Sequence, residues 1–107
     1  MENNLIEELW KEHLAVAFPK DYRGKDVNGI DFVMLDADVA GCVDSLLERG
    51  NLNLFQTATL GLCYRDLNYV MPILNDEGRA YYWRLERLAE LLLKAVAIKN
   101  RKEHDGS

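Results

Sequence analysis

An all-α fold, a compact four-helix bundle with antiparallel neighbours, is what the sequence predicts, on three observations. Apolar residues recur at helical spacing in four separate stretches of the 107-residue chain. Two of the three connections between those stretches are only a few residues long, which folds each helix back on the last. The flanks of Asn28-Gly29, the one turn suited to a hairpin, lack the alternating β-branched residues of strands. The expected layout is a single helical domain over residues 1–100, a long structured loop between helices one and two, and a polar, frayed tail over residues 101–107.

Helix one is expected from about Leu5 to Ala17. Asn4 can cap it, and Glu7 stands three residues on to complete a capping box. Ile6, Leu9, Trp10, His13, Leu14 and Ala17 fall on one face, and Pro19 ends the pattern. His13 on that stripe reads as a packed imidazole, because no second His or Cys stands at metal-ligand spacing. Residues 18–29, "FPKDYRGKDVNG", read as the structured loop. Asn28-Gly29 suits a hairpin turn, but the flanks lack alternating β-branched residues, so no strands are expected.

Helix two begins at Asp31 or a few residues later and stops before Gly50, with Phe32, Leu35, Val39, Cys42, Val43, Leu46 and Leu47 as its stripe. Helix three opens at Asn53, with Gln56 in the capping-box position, and Pro72 should kink or end it near Met71. Asn75 or Asp76 can cap helix four, expected from about Glu77 to Lys99. Its apolar surface is unusually wide, as in a helix that is central in a fold or buried against a partner.

Composition narrows the function classes. Apolar residues make up 49% and charged residues 29%, as in a globular domain rather than a disordered one. The longest nearly apolar run, Leu91 to Ile98, is broken by Lys94 and is too short to span a bilayer. The acidic start "MENNLIEELWKEH" has no secretory pattern, and Cys42 and Cys63 belong to no ligand set, so a cytoplasmic protein with reduced thiols is expected. Charge is unevenly spread: residues 1–78 carry 6 basic and 14 acidic groups, a balance of −8, whereas residues 79–102 carry 7 basic and 2 acidic, a balance of +5. A net acidic chain disfavours nucleic acid, although "RAYYWRLERL" interleaves arginine with aromatic residues.

One motif invites a catalytic reading. "FVMLDADV" resembles the first motif of the haloacid-dehalogenase-like phosphatases, an apolar strand ending in an Asp-x-Asp loop. The resemblance implies Asp36 as nucleophile on phosphorus, Asp38 as acid and base, and a magnesium ion that neutralises the phosphate. It covers eight residues, and the 68 that follow Val39 read as helices, which leaves no room for the doubly wound sheet of that family. On a helix, moreover, positions two apart point about 200° away from each other. Capping and solvation account for the aspartates instead.

The expected function is therefore a non-enzymatic protein-binding or regulatory module, without metal or cofactor, that binds itself or masks a basic partner. The candidate partner interface is Tyr82, Trp83, Arg87, Leu91 and Ile98 on helix four, through which a homodimer is expected to form if the chain self-associates. Asp31, Asp36, Asp38 and Asp44 form the candidate acidic patch. The alternative is a small enzyme or ligand-binding protein in which Asp36, Asp38 or Asp44 converges with His13 or Tyr64 on a helix-lined pocket.

Overall fold

The computed structural model describes the backbone of residues 2–105 and the side chains of residues 4–101. Four helices, α1 (Glu2–Leu14), α2 (Phe32–Arg49), α3 (Leu54–Val70) and α4 (Asp76–Asp105), carry the fold. A two-residue hairpin, β1 (Asp26–Val27) with β2 (Ile30–Asp31), interrupts the long loop. Short 3-10 turns occupy Lys20–Tyr22 and Met71–Ile73.

Most helix ends sit where local chemistry requires them. Asp31 caps α2 by accepting the Met34 N–H at 2.9 Å, and Gly50 ends it in the left-handed conformation at φ 75°. The Asn53–Gln56 capping box on α3 is complete. Pro72 cannot continue the α-helical ladder, so α3 stops at Val70 and passes into the 3-10 turn. Asn75 caps α4, its Oδ1 accepting the Gly78 N–H at 2.8 Å.

Two local expectations need correction. α1 begins at Glu2, which places Asn4 inside the helix rather than at its cap. It also ends at Leu14, not Ala17, in a tight turn where the Val16 N–H bonds the His13 carbonyl. The early stop lets the chain swing Phe18 edge-on against Tyr81 and Tyr82 and bury Pro19. The second correction is the hairpin. Asn28 and Gly29 have φ 50° and 84°, the primed turn that strand twist favours, and Val27 pairs with Ile30. The turn chemistry sufficed without alternating flanks. The Asn28 amide also donates to the Tyr69 hydroxyl, tying the hairpin tip to α3.

Cross-helix bonds give the direction of each helix. The end of α1 meets the start of α2 through His13 and Asp36, and the start of α4 through Tyr81. The end of α4 meets the end of α2, where the Lys99 ammonium donates to the Gly50 carbonyl at 2.9 Å. Sequential neighbours are thus antiparallel, and α2 runs parallel to α4. α4 packs against all three other helices, while α1 and α3 hardly touch. Its 30 residues run through Asp105, well beyond Lys99, and would extend about 45 Å at helical rise. The long axis of the molecule is 49 Å. Tyr82, Leu85, Leu88, Ala89, Leu92 and Val96 are all buried, so the wide apolar surface of α4 is the centre of the core.

The start of α4 is held by Tyr22, whose hydroxyl donates to Asn75 Oδ1 and accepts the Asn75 N–H, each at 3.0 Å. A Cβ on Gly78 would lie 2.5 Å from the Tyr22 ring. Gly78→Ala is therefore expected to destabilise by about 1–3 kcal/mol, although alanine gains up to about 1 kcal/mol in helix propensity. Urea titration should show that sign reversed in a Tyr22→Ala background, where the ring is gone.

Candidate functional site

α2 turns its aspartates to different sides. Asp31 and Asp38 are seven positions apart, which returns them to one face. Both line a cleft of about 330 Å3 between α2, the hairpin and α3, with Met34, Thr59, Leu62, Cys63 and Asp66. A neighbouring hollow of about 470 Å3 continues past the hairpin to Arg65 and Tyr69. Asp66 bonds the adjacent Arg65 at 3.2 Å, whereas no cation pairs with Asp38 among the described residues.

Asp36 faces the opposite way, into the junction of α1, α2 and α4. Its Oδ1 lies 2.9 Å from His13 Nε2, and its Oδ2 accepts from the Tyr81 hydroxyl at 2.7 Å. His13 is 5% exposed, stacked on Trp10 and tilted against Tyr81. An ionised Asp36 fixes the proton on Nε2, because a carboxylate only accepts. Nδ1 is left buried without a hydrogen-bond partner among the described residues. Burial, then the hydrogen bond to Asp36 and its charge, push the Tyr81 hydroxyl far above its usual range, against the opposing charge of Arg84.

A carboxylate-held imidazole is the geometry general bases use, but the adjoining cleft of about 250 Å3 is lined by Val16, Pro19, Glu77, Tyr81 and Arg84, not by His13 or Asp36. Tyr64 donates to Glu90 at 3.2 Å instead of meeting the aspartates. The aspartates, His13 and Tyr64 thus do not converge on one cavity. Nor do Asp36 and Asp38 act as the pair that the phosphatase-like motif implies, because both stand on a helix and face apart. Among the described residues no three His, Cys, Asp or Glu side chains gather to hold a metal.

The acidic patch is accordingly corrected. Asp31 and Asp38 share the cleft, Asp36 is half-buried at the junction with α1 and α4, and Asp44 is exposed but lines none of the cleft. Asp66, absent from that patch, joins it from α3. Leu62 was its signal in the sequence, a leucine off the α3 stripe and four positions before an aspartate.

The helix-four interface is corrected too. Tyr82 is fully buried, its hydroxyl donating to the Phe32 carbonyl at 2.8 Å, and Leu91 lies in the core, because α4 is enclosed by three helices. Trp83 and Ile98 are exposed, and Arg87 is paired with Glu90 on its own helix. The apolar surface that sequence reasoning missed lies on α3, where Leu54, Phe55, Leu62 and Tyr69 face outward. The pattern shows it in retrospect: the buried stripe of Leu60, Cys63 and Leu67 extrapolates back to Gln56 and Thr57, so Leu54 and Phe55 fall off it.

Both cysteines are free and buried. Burial, and then the charge of Asp38, push Cys42 up from its usual range; the same causes, with smaller contributions from Cys42 and Asp66, take Cys63 to about 12.

Two outcomes follow from this geometry. Asp36→Ala, which strands His13 and Tyr81, is expected to cost about 2–4 kcal/mol in a denaturant titration. Asp38→Ala should cost less than about 1 kcal/mol, because Asp38 is half-buried at the cleft and no cation pairs with it among the described residues. The fold also holds Cys63 and Tyr81 protonated, so the Cys63 contribution to stability is intact below the ordinary thiol value of 9.0 and is lost as pH rises towards about 12, while that of Tyr81 starts to be lost only above its ordinary value of 10.0. A urea midpoint that falls over that range, with thiols unreactive at neutral pH until urea is added, is the expected result.

No family model matches the sequence, and no curated protein or solved structure matches the chain.

Proposed function

We propose that the protein is a non-enzymatic protein-binding module, acting in the cytoplasm, whose docking surface is the cleft between α2, the hairpin and α3. The observation that carries this reading is the composition of the cleft. Three carboxylates, Asp31, Asp38 and Asp66, rim the exposed apolar side chains of Met34 and Leu62. An apolar floor with an anionic rim suits an apolar side chain flanked by lysine or arginine. The balance of −8 over residues 1–78 adds long-range attraction for such a partner. The chemistry serves equally for masking a basic partner and for self-association through a segment of that kind. No helix of the described chain is long and apolar enough to cross a membrane.

The test uses a labelled amphipathic peptide of alternating leucine and lysine as probe, followed by fluorescence anisotropy. Affinity should fall between about 50 mM and about 300 mM salt, and Asp38→Lys should weaken it about tenfold or more. Asp44→Lys, which adds the same charge away from the cleft, should have a much smaller effect. Equal losses from both variants would leave only diffuse charge attraction and remove the cleft from the reading.

A further inference from the structure

We infer that the occupant of this surface is a second copy of the same chain, joined by a two-fold contact of α3 against α3 with the axis beside Leu62. The inference rests on the reading of the cleft as a docking surface and names its partner. Phe55, Leu62 and Tyr69 are 80%, 53% and 50% exposed. They are spaced by seven, so each stands only about 20° from the last, and they form one apolar line about 21 Å long on α3. That is the seam spacing of helices that pack lengthwise on one another.

An antiparallel pairing centred on Leu62 is self-complementary. Leu62 meets its own mate, Phe55 of one copy lies against Tyr69 of the other, and Thr59 lies opposite Arg65. One contact in this register joins opposite charges. Thr59 and Asp38 line the same cleft, so the mate's Arg65, highly exposed beside Asp66 on its own helix, is brought to Asp38, a rim carboxylate with no cation of its own among the described residues. Ala58, which is exposed, lies opposite the mate's Asp66 in this register, and its small side chain permits close approach there. A two-fold contact is also closed, so it accounts for the apolar line without generating a filament.

Cysteine cross-linking tests the geometry, since native Cys42 and Cys63 are buried. Leu62→Cys alone should form an intermolecular disulfide under mild oxidation, because the residue at the axis meets itself. Phe55→Cys and Tyr69→Cys should each fail alone, being far from their own mates, and should cross-link when mixed. In sedimentation equilibrium the native chain should dimerise, and Leu62→Glu should be a monomer with an unchanged circular dichroism spectrum. Asp38→Arg and Arg65→Asp should each weaken the dimer, and their combination in one chain should restore it. A monomeric native chain that still binds the leucine-lysine probe would overturn the two-fold contact while leaving the docking surface in place. A monomer that binds no probe overturns both. A dimer in which Leu62→Cys stays reduced and the Phe55→Cys and Tyr69→Cys mixture does not cross-link overturns this contact in favour of another face.

Discussion

One carboxylate organises the junction on which the bundle depends. Asp36 on α2 holds His13 from the end of α1 and Tyr81 from the start of α4, so three helices meet at two oxygens of a single side chain. α1 needs this more than the others do. It packs mainly on α4 and makes little contact with α2 otherwise. Apolar packing alone tolerates sliding along a helix, whereas hydrogen bonds to a partly buried charge have one productive register. Asp36 therefore sets the register in which α1 docks as well as satisfying His13 and Tyr81.

Around this junction the loop acts as part of the core. Phe18 and Tyr22 leave the chain on either side of Pro19 and join Phe32, Tyr81 and Tyr82 in a set of edge-on and tilted ring contacts, with centroids 4.9 to 6.4 Å apart. Such geometry suits the ring quadrupoles. The Tyr82 hydroxyl, buried among these rings, is satisfied by a carbonyl in the first turn of α2. Tyr22 reaches past the rings to the Asn75 cap. The loop thus fixes where α4 begins, and the start of α4 fixes where α1 must stop.

This interlocking explains what the sequence made legible and what it did not. Caps and breakers are local, so Asp31, Gly50, Asn53, Asn75 and Pro72 could be read directly. The central position of α4 could be read from its apolar width. Whether that width faced neighbours or solvent depends on how many helices pack on it, which is not local, and for that reason Tyr82 and Leu91 were placed on a surface they do not occupy. The Asn28-Gly29 hairpin was visible as turn chemistry and was set aside for want of flanking strands. The pairing of His13 with Asp36 spans 23 positions and leaves no pattern in the chain. Its one trace is the requirement that a histidine on an apolar stripe find a partner.

The uneven charge of the chain resolves in a similar way. Much of the basic excess on α4 is engaged within the molecule. Arg84 faces Glu12 at 3.6 Å, Arg87 and Lys94 share Glu90, and Lys99 caps the carbonyl end of α2. Partly exposed pairs of this kind contribute modest stability, but they engage cations on one side of the protein. On the other side, Asp31 and Asp38 line the cleft with no comparable cation among the described residues, and α3 supplies both Asp66 and the apolar line through Leu62. α3 is thereby two-faced: Leu60, Cys63, Leu67 and Val70 close the core, while side chains on the far face remain in water. At about 25 cal/mol per Å2 of apolar surface, a helix that leaves one such face uncovered forgoes free energy that only a second surface can recover.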